Sequence, residues 1–172
     1  MGHDYESSAK QTPVYDGEYI YVLCESAYLK RFHQDTLALE SERISSTIGS
    51  FTLFDVYNGK GVAMQSNKPD ARIHITNSVF NEEWTILANQ PAWNTSASNH
   101  IVGLKLAPNG DIHAMSSTQH FVSADNGVTW IERVPPVEAD TVQGFGVCKK
   151  TGYLFIKARL ASSIHRSIDG IQ

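Results

Sequence analysis

The side chains of this 172-residue sequence that could do chemistry are seven histidines, eighteen carboxylates and six arginines. His3, His33, His74, His100, His113, His120 and His165 show no zinc-ligand spacing. His113 and His120 could meet across a hairpin, but neither has a Cys or carboxylate at ligand spacing. Cleavage of a glycosidic bond needs two carboxylates at a set separation. Glu82, Glu83, Asp111 and Glu132 are available, and the Glu82-Glu83 pair before Trp84 reads as a solvated turn. Arginine forks bind carboxylates bidentately, so a cluster drawn from Arg31, Arg43, Arg72, Arg133, Arg159 and Arg166 would point to an acidic ligand. No phosphate loop, nucleophile elbow or redox Cys pair is present. No catalytic set, cofactor or metal is therefore expected.

The most specific spacing is Ser123-Ala124-Asp125-Asn126-Gly127-Val128-Thr129-Trp130, or S-x-D-x-G-x-T-W. The Ser123 hydroxyl and Asp125 carboxylate are short acceptors able to bond the turn's own backbone N–H groups. Gly127 suits a positive φ. Trp130 is placed to return to the core and pin the turn. A lone carboxylate supplies too few oxygens for calcium.

This run resembles the Asp-box, the hairpin signature of sialidase-like (BNR-repeat) β-propellers. The resemblance implies turns on the outer rim of blades, away from a catalytic axis. A sialidase site in that family needs three arginines, a Tyr–Glu pair and an acidic Asp. The family's Arg-Ile-Pro motif is absent here. Arg72-Ile73-His74 and Arg43-Ile44-Ser45 are the nearest runs. Arg31, Arg72 and Arg166 precede the box position and read as blade-surface residues.

Positioning elements follow from a repeat. Asp16-Gly17, Asn58-Gly59, Asn109-Gly110 and Thr151-Gly152 each precede an alternating apolar run. Such dipeptides are strong hairpin signals. The glycines lie 42, 51 and 42 residues apart. A second marker, taking Phe32, Thr76, Ser123 and Ser167 as equivalent, gives 44, 47 and 44. Ser167-Ile168-Asp169-Gly170 is a recognisable S-x-D-G variant. The period approaches the roughly 40–45 residues of a four-stranded propeller blade.

The expected fold is thus all-β: a β-propeller, or part of one, with about four units of four-stranded antiparallel blades. A β-sandwich with regular turns is the structural alternative. Leu37–Ile44 is assigned to strand and loop despite its helix-forming residues. Residues 1–13 read as an N-terminal arm and 14–172 as the repeat domain, whose last blade is incomplete. Three routes to completion stand open: a longer chain, a strand from around Thr12–Tyr15, or another chain. The long connection after the second unit carries Trp93, a candidate binding loop for a sugar or partner that could equally plug the fold.

Composition narrows the setting. Net charge is −4, and no basic run exceeds a pair, which argues against a nucleic-acid surface. No stretch reaches membrane-span length, and no secretory signal is visible. Cys24 and Cys148 read as buried free thiols. The expectation is a non-enzymatic structural or binding module of a larger assembly, oligomeric, with protein partners and either glycan recognition or purely structural service. Loose repeats of this style resemble uncharacterised phage virion and tail proteins, which implies a virion location reached without a signal peptide, with a cytoplasmic location as the alternative. A sialidase-like glycoside hydrolase fragment and a photosystem-assembly-factor-like propeller are the alternatives.

Overall fold

The structure, a computed structural model, describes residues 13–24, 28–44, 51–65, 72–94, 100–134, 142–158 and 164–167. Most of the arm, Arg159, Asp169, Gly170 and the 95–99 stretch of the long connection lie outside the described residues. Four antiparallel sheets follow one another along the chain, and no helix occurs among the described residues.

The first sheet runs β1 (Val14–Tyr15), β2 (Tyr19–Leu23), β3 (Tyr28–His33), β4 (Leu39–Ile44). The second is β5 (Leu53–Tyr57), β6 (Lys60–Met64), β7 (Ile73–Thr76), β8 (Thr85–Ile86). The third is β9 (Ile101–Leu106), β10 (Ile112–Ser116), β11 (His120–Ser123), β12 (Ile131–Arg133). The fourth holds, among the described residues, β13 (Val142–Val147), β14 (Leu154–Ala158) and β15 (Ile164–Ser167). Each sheet is a simple meander. The helix-forming residues of Leu39–Ile44 are overridden by pairing with β3, as expected.

The four marker glycines share one structural place, the turn between the first and second strands of each sheet. Gly17, Gly59, Gly110 and Gly152 all have positive φ, between 74° and 116°. Asn58 (φ 49°) joins Gly59 there, so Tyr57 and Lys60 are closed by a two-residue turn with both centres left-handed. Asp16 serves the first unit differently. Its Oδ1 accepts from the Glu18 and Tyr19 amides at 3.1 and 2.9 Å.

The second marker holds in three units and slips in one. Gly61 pairs with Thr76, Ile112 with Ser123, and Leu154 with Ser167, each two residues after its marker glycine. In the first sheet the corresponding pair is Tyr19 and His33, while Phe32 faces Ile20. His33, not Phe32, is therefore the equivalent position. With a side-chain period of two, the one-residue error puts the wrong face forward. Val14 and Tyr15 pair with β2, so this segment belongs to the first sheet and does not supply a strand to the fourth.

First strands lie beside one another in chain order, β1 against β5, β5 against β9, β9 against β13. Three apolar cores fill the gaps between successive sheets. The first joins Tyr21, Leu23 and Leu29 to Phe51, Phe54 and Trp84. The second joins Val62, Met64 and Ile73 to Leu104, Leu106, Ile112 and Phe121. The third is smaller, with Met115, Val142, Ile156 and Ala158.

Candidate functional site

Three places concentrate polar groups: the box-like turn, the line where first strands meet, and the gap between the third and fourth sheets.

The turn forms the bonds its residue types require. The Gly127 amide donates to Ser123 Oγ at 2.7 Å, and Ser123 Oγ donates to Asp125 Oδ1 at 2.8 Å. Asp125 also accepts from the Thr129 amide and hydroxyl, at 2.8 and 2.6 Å. The Thr129 bonds hold the Asp125 carboxyl down at about 2. Gly127 has φ 83°, and a Cβ there would meet Leu87 Cδ1 at 2.4 Å. Leu87 belongs to the second unit, so the turn also seats the third sheet on its neighbour. Trp130 packs against the same core, and its Nε1 donates to Asn89 O at 3.3 Å. Every bond of Asp125 is internal to the turn, which gives it a structural role. In the fourth unit Ser167 is buried at the end of β15.

Where first strands meet, Asp55 of β5 is only 1% exposed. Its Oδ2 accepts from the Leu106 amide of β9 at 2.7 Å and from Lys149, which follows β13. Lys149 also donates to Leu106 O at 2.6 Å, and Lys105 lies 3.8 Å from Asp55 Oδ1. One carboxylate thus ties the second, third and fourth sheets together. Burial pushes the Lys149 ammonium below its usual range, and Asp55 pulls it back up. A cavity of about 240 Å³ opens beside this cluster, walled by Val14, Asp55, Lys105, Phe145 and Lys149 from all four units. The cluster can clamp strands and present Lys105 as a cation.

Asp55 and Lys149 belong to no motif in the sequence. Asp55 carried a usable signal, a single carboxylate inside the apolar strand Leu53-Phe54-Asp55-Val56-Tyr57. Lys149 carried none.

The third place lies on the face of the third sheet turned toward the fourth. His113 and His120 are diagonal neighbours there, with His113 Nδ1 3.1 Å from His120 Nε2. The two histidines do meet across the hairpin. Burial lowers His113 to about 4 and His120 to about 3; Lys149 adds to the first shift, His113 and Arg133 to the second. A second cavity, about 330 Å³, is lined by Asn109, Asp111, His113, Arg133 and Lys150 among others. No group of three metal-ligating side chains occurs among the described residues.

The arginines among the described residues do not converge. Arg31 stacks 4.4 Å from the Tyr19 ring, and Arg43 donates to Val79 O at 3.1 Å and Glu83 Oε1 at 2.9 Å. Arg72 is exposed, Arg133 lines the second cavity, and Arg166 lies 4.8 Å over Tyr153. Glu82 and Glu83 are exposed in a turn before buried Trp84, as expected. Trp93 is not presented for recognition. It is 8% exposed and meets Phe121 edge-on at 4.9 Å, so it plugs the second core. Cys24 and Cys148 are free; Cys24 is buried, whereas Cys148 is half-buried. No helix among the described residues is long and apolar enough to cross a membrane.

No family model matches the sequence, and no curated protein matches it either. Solved structures resemble it in fold. The computationally designed Ika4 protein is 9% identical, with a TM-score of 0.55, covering all of this chain and 96% of that one. Hsv2p of Kluyveromyces lactis is 15% identical, with a TM-score of 0.55 over 94% of this chain and 49% of that chain. PorZ of Porphyromonas gingivalis, described as an essential surface component of the type-IX secretion system, is 14% identical, with a TM-score of 0.50 over 96% of this chain. This chain spans about half of Hsv2p and 21% of PorZ. At these identities the likeness concerns fold alone.

Proposed function

We propose that the chain is a non-enzymatic β-propeller-like module of a larger assembly, in which another chain covers the outer side of the fourth sheet. Four consecutive meanders with adjacent first strands, and an Asp-box-like turn bonded as its residue types demand, support the propeller reading.

One observation carries the binding role. All five residues of β10 are buried, as are four of five in β6, because a sheet lies on each side. β14 alternates: Leu154, Ile156 and Ala158 are buried, Phe155 and Lys157 exposed. Beside them on the same face lie Ile164, 67% exposed, and Arg166. An apolar patch carrying two cations on the outer face of the sheet suits face-to-face docking of an acidic neighbour. The chain itself is acidic overall, and β4 exposes Glu40, Glu42 and Leu39. A second copy therefore has complementary charge, in a head-to-tail contact. A phage tail, fibre or capsid-associated protein is the setting in which such repetition serves best.

Sedimentation of the purified chain over a wide concentration range tests this. Association that weakens in Ile164→Lys and in high salt is expected. A monodisperse monomer throughout would overturn the reading.

A further inference from the structure

The gap between the third and fourth sheets is built differently from the other two, and it holds a cavity of about 330 Å³. That is near the lower end of volumes that hold small-molecule ligands. It is separate from the outer side of the fourth sheet.

Its walls are rich in donors. Arg133, at the end of β12, has a buried Nε without a hydrogen-bond partner among the described residues. Neither Arg133 nor Lys150 makes an ion pair among those residues. His113 supplies a third donor by a tautomer argument. Its Nδ1 is engaged by His120 Nε2, and His120 Nδ1 is buried without a partner. An orphaned buried N–H is less tolerable than an orphaned lone pair. His120 therefore carries its proton on Nε2 and donates it to His113 Nδ1. The His113 proton then sits on Nε2, and His113 lines the cavity. His113 is 5% exposed, so its ring is fixed by packing.

The opposing charge on the wall is Asp111. Asn109 Nδ2 donates to its Oδ2 at 2.9 Å, and Lys60 of the second sheet feels its field. Two cations and an imidazole N–H against one occupied carboxylate leave the cavity in need of an anion.

We propose that this cavity binds a small molecule bearing a carboxylate or phosphate group, held by Arg133, Lys150 and the His113 Nε2–H. Arg133 offers the fork, Lys150 the point charge at the mouth, and His113 the rigid donor at the back.

Titration calorimetry with inorganic phosphate and with acetate tests it, alongside ¹⁵N shifts of the His113 ring. Saturable binding in the millimolar range by either anion is expected, with the His113 Nε2 signal moving. Preference for phosphate or acetate identifies the ligand's acidic group. Arg133→Gln and Lys150→Gln should each weaken binding about tenfold, and Arg133→Lys should recover part of the loss. Lys30→Gln, on the remote first sheet, should change nothing. An unaltered circular dichroism spectrum and melting temperature for the Lys150→Gln variant keep the result free of folding effects, since Lys150 is exposed. No binding by either anion, or binding indifferent to both Gln variants, overturns the proposal.

Discussion

The two faces of the third sheet make opposite kinds of contact. Toward the second sheet it presents Leu104, Leu106, Ile112, Ala114 and Phe121, closed by Trp93 into one apolar core. Toward the fourth it presents His113 and His120 beside Met115, with Arg133 at the rim and an open cavity. The same strands build both faces, because alternate residues of β10 and β11 point opposite ways. One face serves cohesion. The other trades cohesion for polar groups, and the fourth sheet is held by the smaller core together with the Asp55–Lys149 tie.

The sharpest way to break this contrast is a matched pair of core truncations. Phe121→Ala on the apolar face should cost about 3–5 kcal/mol in urea unfolding. Val142→Ala, in the fourth sheet where it packs on the other face, should cost about 2 kcal/mol. Equal losses would dissolve the distinction.

Asp55→Ala tests the tie. It strands the Lys149 ammonium and leaves the Leu106 amide unpaired, for an expected loss of about 3 kcal/mol. Asp55→Asn, which keeps an acceptor for Leu106, should lose less. If both variants unfold like the parent, the tie is not what holds the sheets.

Acid should act on the polar face first. His113 and His120 titrate near 4 and 3 in the fold, below the ordinary 6.5. The unfolded chain therefore takes up their protons first. Stability is intact above pH 6.5 and falls as pH drops toward 4, by at most about 1.4 kcal/mol per pH unit per histidine. A His113→Gln/His120→Leu double variant should show a flatter profile by thermal melts at stepped pH. An unchanged slope would assign the acid loss elsewhere.

The smallest effect belongs to the turn. Ser123→Ala removes the acceptor for the Gly127 amide and should cost about 1 kcal/mol. The same change at half-buried Ser78 is the control for a turn serine outside the box.

Much of the skeleton was legible because it is local. Asn58-Gly59 and Ser123–Trp130 fix their own backbone within a few residues, so composition and spacing suffice. The one-residue slip from His33 to Phe32 arose because the first unit kept no Ser or Thr to mark the place. Trp93 was ambiguous because a tryptophan in a long connection looks alike whether it stacks on a ligand or on Phe121. Asp55 and Lys149 stand 94 residues apart in sequence. Their pairing depends on first strands lying side by side, which no local pattern states. The His113–His120 contact needed only a hairpin, and it was visible; the cavity beside it needed a second sheet, and it was not.

The central claim is that another chain covers the fourth sheet. Amide hydrogen exchange at Ile164–Ser167, followed as the protein is concentrated, tests it most directly. The account predicts exchange that slows in β15 as association sets in, with β10 unchanged. Exchange in β15 that stays fast and independent of concentration would contradict it.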